Sequence, residues 1–187
     1  MKNDFEVRGD HVVIFLKRKN GTILETKVSL CDLPLLHNTN ATFCPTWNQD
    51  TESFYVNYHI FNSLGKKSKR SLHRLIMNCP TNKIVDHINH DTLDNRRENL
   101  RIVNNSQSMQ NVKGTRKDNK SGYKNVSWHK LMKKWRVRLN INKQEITIGY
   151  FDDVHEAGKS ALEARRMLYT HAPENREREE LLSGNSF

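Results

Sequence analysis

Apolar and polar residues alternate most regularly in the C-terminal third of the chain. In one segment Trp135, Val137, Leu139 and Ile141 alternate with Arg136, Arg138 and Asn140. In the next, Ile146, Ile148 and Tyr150 alternate with Glu145, Thr147 and Gly149. Because successive residues of a strand point to opposite faces, this pattern predicts two strands of a sheet with one apolar and one polar face. A shorter strand is expected just before them, after Ser121-Gly122-Tyr123.

A helix is predicted to cover the apolar face of this sheet. Asp153 is followed three residues later by Glu156, which is the spacing of a capping box. Small or apolar residues then recur at helical spacing, at Ala157, Ala161, Ala164 and Leu168. We therefore expect residues 121–172 to form a three-stranded antiparallel sheet packed on one helix.

The N-terminal third also favours strands. Residues 12–16 are an apolar run, and together with residues 22–28 on the other side of Asn20-Gly21 they predict a hairpin. Residues 54–58 predict another strand. Residues 72–77 form an apolar helical patch directly after a lysine-rich stretch. Together these patterns predict an α+β fold with a β-rich N-terminal region.

Composition changes this picture in two ways. The 187 residues are 35% hydrophobic and 28% charged, which favours small modules over one large core. The formal net charge of +10 favours an anionic polymer as partner, although a solvated basic surface is the alternative.

The cysteines and the apolar runs argue against several other classes of protein. Cys31, Cys44 and Cys79 are odd in number and widely spaced, which disfavours a disulfide framework. A structural zinc built from them and His37 is disfavoured because no Cys-x-x-Cys pair is present. No apolar run has the length of a membrane span and the first residues do not have the pattern of a signal peptide, so we expect an intracellular protein.

The candidate chemistry lies at Asp86 and His87, in the centre of the chain. Phosphodiester hydrolysis needs a cation near the scissile phosphate and a group that takes a proton from water near neutral pH. A carboxylate is a suitable ligand for Mg²⁺ or Mn²⁺, and imidazole has an ordinary pKa suited to a base. Since adjacent strand residues point to opposite faces, the pair requires a strand end or a bulge.

The residues around this pair carry a more specific pattern. Val85-Asp86-His87-Ile88-Asn89 is followed by Asn95-Arg96 and then by Asn99-Leu100. This run resembles the HNH, or His-Me finger, endonucleases, specifically their homing branch. The resemblance implies a ββα-metal centre, with strands at residues 84–88 and 100–103, a helix at about 105–111, and a polar loop at 89–98 that we expect to lie outside the core.

The same resemblance implies roles for individual residues. Asp86 would be the first ligand of one Mg²⁺ or Mn²⁺ ion, His87 the general base, and Asn99 the residue that braces the loop and orients the histidine. Arg96 or Arg97 would hold the scissile phosphate, with a role on the loop surface as the alternative.

One position departs from the family pattern. The second metal ligand is usually Asn or His 21 positions after the base, and that position is Ser108 here. A hydroxyl is a weaker and shorter ligand than an amide oxygen. The alternatives are a register shift toward Asn104, Asn105 or Asn111, a serine introduced to slow cleavage, and a centre that has lost activity.

The C-terminal module resembles a second family. Ser121-Gly122-Tyr123, Trp135 and Gly149-Tyr150-Phe151, followed by an alanine-rich helix, resemble the APETALA-two DNA-binding domain, whose members lay the sheet in the major groove of DNA. The resemblance implies that the polar face of the sheet contacts double-stranded DNA. The implied contact residues are Lys124, Trp128, His129, Arg136, Arg138 and Thr147.

The sequence thus predicts five segments. These are a β-rich region at 1–76, an HNH motif at 77–112, a basic linker at 113–120, an APETALA-two-like domain at 121–172 and a charged tail at 173–187. The predicted function is a metal-dependent, site-specific DNA endonuclease of the HNH homing type, with a monomer favoured. The alternative is a sequence-specific DNA-binding regulator with a weakened or inactive centre.

Overall fold

The computed structural model describes residues 1–61, 63–112, 114–115 and 118–175. The predicted basic linker therefore lies partly outside the described residues, at Lys113, Arg116 and Lys117, as does the predicted tail from residue 176 onward. The chain divides into two compact units, Met1–Val103 and Asn104–Phe187. Among the described helices, none is long and apolar enough to cross a membrane.

The first unit begins with the predicted hairpin. The strands are β1 (Phe5–Arg8), β2 (His11–Lys17) and β3 (Ile23–Ser29), and all three pair antiparallel in that order. Gly21, at the turn between β2 and β3, has a φ of 84°, a conformation that glycine adopts without steric cost. The hairpin expected around Asn20-Gly21 is confirmed.

A second antiparallel sheet follows a short helix. Helix α1 (Leu33–Asn38) leads to β4 (Cys44–Asn48), β5 (Ser53–Phe61) and β6 (Lys67–Ser71), and helix α2 (Leu72–Ile76) follows directly. The strand and the apolar helical patch predicted in this region are both present. The core between these elements is formed by the residues Val12, Ile14, Leu16, Val28, Leu36, Phe43, Val56, Tyr58, Leu72 and Ile76.

Three short strands complete the first unit. Strand β7 (Ile84–His87) pairs antiparallel with β9 (Leu100–Val103), as predicted for the ββα centre. Between them, β8 (Asp94–Asn95) joins the first sheet by pairing parallel with β3.

The expectation that the polar loop at 89–98 lies outside the core is wrong. Asp94 and Asn95 are 3% and 0% exposed, and Thr92 is also buried. Polar groups can be buried when hydrogen bonds replace those to water. Arg96 supplies them to Asp94, and Thr26 and His87 supply them to Asn95.

The second unit contains the predicted sheet and helix. Helix α3 (Asn105–Gln110) is followed by strands β10 (Val126–His129), β11 (Lys134–Ile141) and β12 (Gln144–Phe151), which pair antiparallel in chain order. Helix α4 (Val154–Leu168) then packs on the sheet through Ala157, Ala161 and Ala164. The Asp153 carboxylate caps α4 by accepting from the backbone N–H groups of His155 and Glu156. The structure thus confirms an α+β fold.

Two details of the predicted packing are wrong. A β-bulge makes Val137 pair with Gly149 and Arg138 with Thr147, so the strict alternation expected along β12 is broken at Ile148. Tyr150 therefore pairs with Arg136 on the face away from α4, and Ile146, Ile148 and Tyr150 are each more than a third exposed. Leu168 is also 42% exposed, because Tyr169 and Ala172, just beyond the helix, fill the space beside Leu139 instead.

Candidate functional site

Asp86 and His87 are the last two residues of β7, but the strand end does not bring their side chains to one face, as the predicted pair requires. Burial alternates along this strand: Val85 and His87 are buried, while Ile84 and Asp86 are partly exposed. The strand therefore directs the imidazole toward the interior and the carboxylate toward the opposite face.

The Asp86 carboxylate is held by an arginine on the neighbouring strand. Asp86 pairs with Arg101 in the β7–β9 register, and the Asp86 Oδ2 atom accepts from Arg101 Nε at 3.0 Å and from Arg101 Nη2 at 2.9 Å. The Asp86 side chain is 14% exposed. This ion pair fixes the carboxylate and competes with a cation for Oδ2.

His87 lies in an aromatic cluster with Tyr55 and His73. The ring centroid of His87 is 5.3 Å from that of His73 and 6.0 Å from that of Tyr55, both edge to face. Burial lowers the pKa of His87 below its ordinary value; the hydrogen bond with Asn95 and the nearby carboxylates, of which Asp86 contributes most, oppose that shift. The imidazole is therefore held mainly in its neutral form near pH 7, which is the form that can accept a proton.

His73, at the beginning of α2, is the second histidine of this cluster. Burial, followed by the proximity of His87 and Arg74, lowers the pKa of His73 to about 3. Its Nδ1 atom has no hydrogen-bond partner among the described residues. A neutral, packed role for His73 agrees with this environment.

Two asparagines organise the loop after β7. Asn95 Oδ1 lies 3.2 Å from His87 Nε2. Asn99 bridges both ends of the loop, because its Oδ1 accepts from the Asn89 N–H at 2.9 Å and its Nδ2 donates to the Asp94 carbonyl at 2.8 Å. Of the two asparagines, Asn95 is thus the one that contacts the imidazole, and Asn99 forms the brace across the loop.

Arg96 and Arg97 both form ion pairs within the protein. Arg96 donates to the Asp94 carboxylate through Nε at 2.9 Å and Nη2 at 2.8 Å. Arg97 donates through Nη2 to Asp32 Oδ1 at 2.7 Å, and Asp32 is 2% exposed. Contact of either arginine with a phosphate would require sharing or breaking these bonds.

Ser108 lies on α3, in the second unit. The helix begins with a capping box in which Asn104 Oδ1 accepts from the Gln107 N–H and Gln107 Oε1 accepts from the Asn104 N–H, both at 2.9 Å. At the end of α3, Gln110 Oε1 accepts from the backbone N–H groups of Thr170 and His171. The helical register that places Ser108 in the fourth position of α3 is therefore set at both ends.

The Asp86 carboxylate is a suitable ligand for a hard cation that is held by few protein groups. No group of three or more His, Cys, Asp or Glu side chains that could hold a metal occurs in the described part of the chain. Mg²⁺ commonly binds one or two carboxylates and takes its remaining ligands from water and substrate phosphate. Asp86 supplies one such carboxylate, so the chemistry of the site fits Mg²⁺ or Mn²⁺ without a closed protein cage.

The open face of the C-terminal sheet carries four of the six predicted DNA contacts. The strand register places His129, Arg136, Arg138 and Thr147 on the side away from α4. The Glu145 carboxylate bridges the two arginines there, with Oε2 2.7 Å from Arg138 Nη1 and Oε1 3.4 Å from Arg136 Nη1.

The other two predicted contacts are placed elsewhere. Trp128 is half-exposed and packs edge to face on Trp135 at 5.1 Å. The Lys124 amine donates to the Val112 carbonyl, and burial lowers the pKa of Lys124.

Sequence reasoning missed the contact of Arg101 with Asp86 and that of Asn95 with His87. Arg101 could have been found from the predicted strands, because antiparallel pairing of residue 84 with 103 places 86 opposite 101. The Asn95 contact could not, since it depends on how β8 enters the first sheet.

Comparison with known proteins supports the family resemblance found in the central segment. Residues 72–110, from the first residue of α2 to the last of α3, match the HNH endonuclease family. No curated protein and no solved structure gives a significant match. The family match supports an HNH-type segment and indicates a nuclease with DNA as its substrate.

Because burial lowers the pKa of His73, the stability of the folded protein should depend on pH. In the unfolded chain His73 has its ordinary pKa of about 6.5 and takes up a proton below it, whereas in the folded protein it stays neutral until about pH 3. Its contribution to stability is therefore fully present above pH 6.5 and is lost as the pH falls toward 3. Between pH 7 and 5.5 we expect His73 alone to lower the free energy of unfolding by about 1 kcal/mol.

Urea unfolding at the two pH values measures this difference. His73→Phe keeps an aromatic ring and removes the titration. Between pH 7 and 5.5 the free energy of unfolding of this variant should therefore fall by about 1 kcal/mol less than that of the parent. His59→Phe, on the exposed part of β5, is the matched control. An identical pH dependence in His73→Phe and the parent would show that the pKa of His73 does not differ between the folded and the unfolded protein.

Proposed function

We propose that the protein is a metal-dependent, site-specific DNA endonuclease of the HNH homing type. The observation that carries this proposal is the neutral, buried His87 at the end of β7, adjacent to the Asp86 carboxylate and within the HNH-matched segment. An imidazole beside a carboxylate supplies the base and the cation ligand that hydrolysis of a phosphodiester requires.

In the proposed mechanism His87 removes a proton from the attacking water. When Nε2 carries the hydrogen and donates it to Asn95 Oδ1, the basic lone pair of the neutral ring lies on Nδ1. The pKa of His87, lowered by burial, keeps the ring mainly neutral near pH 7. Asn99, by bridging Asn89 and Asp94, holds the loop that carries Asn95.

Asp86 and Ser108 would hold one Mg²⁺ or Mn²⁺ ion. When bound, such a cation would neutralise the scissile phosphate and stabilise the leaving 3′ oxygen. Arg101 holds the Asp86 carboxylate in place, while Arg96 or Arg97 would turn from its carboxylate partner to the scissile phosphate. The expected products carry 5′-phosphate and 3′-hydroxyl ends.

The C-terminal sheet is proposed as the DNA-reading module, of the APETALA-two type. Its support is the open polar face with Arg136, Arg138, His129 and Thr147, opposite the alanine face of α4. Arginine can bridge a guanine edge through two hydrogen bonds, and Glu145 holds both guanidinium groups on this face before DNA arrives. Trp128 and Lys124 would then contact DNA only from the margin of the face.

A second candidate function is favoured by Ser108. A DNA-binding regulator with a weakened centre would keep the reading face and lose the second amide or imidazole ligand. Cleavage of a bound duplex in the presence of Mg²⁺ or Mn²⁺ separates the two functions.

Replacement of the base should separate cutting from binding. We expect His87→Ala to reduce the cleavage rate by about two to four orders of magnitude, since general-base losses have this size, with DNA affinity nearly unchanged. The His87→Ala protein is first used to select bound duplexes from a random pool. The parent protein is then incubated with the selected duplex and Mg²⁺ or Mn²⁺.

His11→Ala is the control, since it removes a histidine from β2 outside the candidate site. Discrete cleavage products from the parent and the control, with none from His87→Ala, are the expected pattern. Binding without cleavage by the parent would favour the regulator, and normal cleavage by His87→Ala would remove the histidine from the mechanism.

A substitution at Ser108 tests whether this residue is the second metal ligand. Ser108→Asn should lower the metal concentration needed for half-maximal cleavage and raise the rate, because an amide oxygen reaches further and coordinates better than a hydroxyl. Ser106→Asn, on the same helix, is the matched control. No gain in Ser108→Asn across a Mg²⁺ and Mn²⁺ titration would exclude residue 108 as a ligand position.

Base reading by the sheet is tested at Arg138. Arg138→Ala should cost roughly 1 to 3 kcal/mol of binding free energy on the selected duplex and much less on a scrambled one. Arg166→Ala removes the same charge from the exposed side of α4 and should affect both duplexes slightly. Binding isotherms at several salt concentrations measure these effects, and equal losses on both duplexes for Arg138→Ala would limit the sheet to backbone contact.

A further inference from the structure

Thr26, on β3, is a fully buried polar residue that lies 46 positions before the HNH-matched segment begins. Its side chain contacts β8 and the residue before it, through Asn95 and Leu93. Asn95 in turn contacts His87. A continuous buried chain of hydrogen bonds thus connects the N-terminal sheet to the candidate base.

The direction of the first bond in this chain is determined by chemistry. Thr26 Oγ1 lies 2.6 Å from the Leu93 carbonyl oxygen, which also accepts from the Lys27 N–H at 2.9 Å. A carbonyl oxygen can only accept, so the single hydroxyl hydrogen of Thr26 must point to Leu93. Toward Asn95 the hydroxyl then presents only lone pairs.

The orientation of the Asn95 amide follows from this. Thr26 Oγ1 must accept at 2.9 Å, so the Asn95 atom facing it is Nδ2, and a longer contact of 3.4 Å from Nδ2 to the Thr92 carbonyl requires the same orientation. A flipped amide would place Oδ1 against the lone pairs of Thr26 and of Thr92. Because Asn95 is 0% exposed, water cannot relieve that repulsion.

The amide orientation then selects the tautomer of His87. With Nδ2 engaged by Thr26, Oδ1 is the atom that faces His87 Nε2 at 3.2 Å, and an amide oxygen needs a donor. A neutral imidazole satisfies it only when the hydrogen is on Nε2, which leaves the lone pair on Nδ1. The tautomer of a functional histidine is commonly set in this way by the partner of its other ring nitrogen.

We propose that Thr26 is a positioning residue: through Asn95 it holds neutral His87 with its hydrogen on Nε2 and its basic lone pair on Nδ1. This inference rests on the proposed function of His87 as the base. It gives the N-terminal sheet a part in the reaction, because β3 supplies the hydroxyl group that orients the amide.

The test reads the tautomer directly, without cleavage. Nitrogen NMR of ¹⁵N-histidine-labelled full-length protein near pH 7.5 distinguishes protonated from unprotonated ring nitrogens, and His87→Gln identifies the His87 signals among the nine histidines. In the parent we expect protonated Nε2 and unprotonated Nδ1 at His87. The reverse pattern, or an equal mixture, would overturn the proposal whatever the activity of the protein.

Three substitutions complete the test. Thr26→Val keeps the shape and removes the hydroxyl, so the opposite tautomer of His87 should become detectable and kcat should fall about tenfold, with KM and DNA affinity nearly unchanged. Thr26→Ser should restore the parent spectrum and most of the rate. Thr39→Val, which removes a hydroxyl that donates to the Leu36 carbonyl in the same unit, should leave the His87 signals unchanged.

The outcomes distinguish this proposal from the proposed function. A His87 spectrum in Thr26→Val identical to that of the parent would show that Thr26 does not set the tautomer, even if the protein cuts DNA. A parent that has the expected tautomer but does not cut DNA would contradict the proposed function alone. If Thr26→Val does not fold, the parent spectrum still tests the tautomer, and Thr26→Ala, which also lacks the hydroxyl, tests the role of Thr26.

Discussion

The junction between β3 and β8 is the interaction on which the candidate site depends. Asp94 and Asn95 are polar, nearly completely buried and located in the loop that carries the HNH pattern. Burial of such groups is unfavourable by roughly 1 to 3 kcal/mol for each one left without a partner. The parallel pairing with Lys27 and Val28, the Thr26 hydroxyl and the Arg96 guanidinium remove that cost.

Two ion pairs, Asp94–Arg96 and Asp32–Arg97, stabilise the loop between β7 and β9. Desolvation opposes ionisation of Asp94, yet the hydrogen bonds from Arg96 outweigh it, so the pKa of Asp94 lies below its ordinary value. Asp32, 2% exposed, is paired with Arg97, which also donates to the Ile76 carbonyl. The Asp32–Arg97 pair therefore ties the loop to the segment after β3 and to the end of α2. Loss of one partner from such a pair is more damaging than loss of both, because it leaves a buried charge uncompensated.

In the second unit one face of the sheet packs on α4, and the proposed DNA contacts lie on the other face. Alanines of α4 allow close approach to the apolar face, where Val126 and Val137 are buried. The other face carries two arginines bridged by Glu145. The bulge at Ile148 turns Tyr150 to that open face, where its ring packs edge to face on His129 at 5.3 Å. The open face therefore combines positive charge with exposed aromatic surface, a combination suited to nucleic acid.

The local patterns of the sequence predicted β2, β3, β5, α2, β10, β11, β12 and α4, but not β1, α1, β4 or β6. Period-two alternation defined β11 and Asn20-Gly21 defined the first hairpin, because both depend on residues close together in the chain. The strands β7 and β9 were implied by the resemblance of the run from Asp86 to Leu100 to the HNH endonucleases. The tertiary structure decided what those patterns do not encode: the burial of Asp94 and Asn95, the bulge in β12, and the partners of Asp86 and His87. These depend on which distant strand lies alongside, and a polar residue such as Asn95 has the same local signature whether water or Thr26 and His87 satisfy its amide.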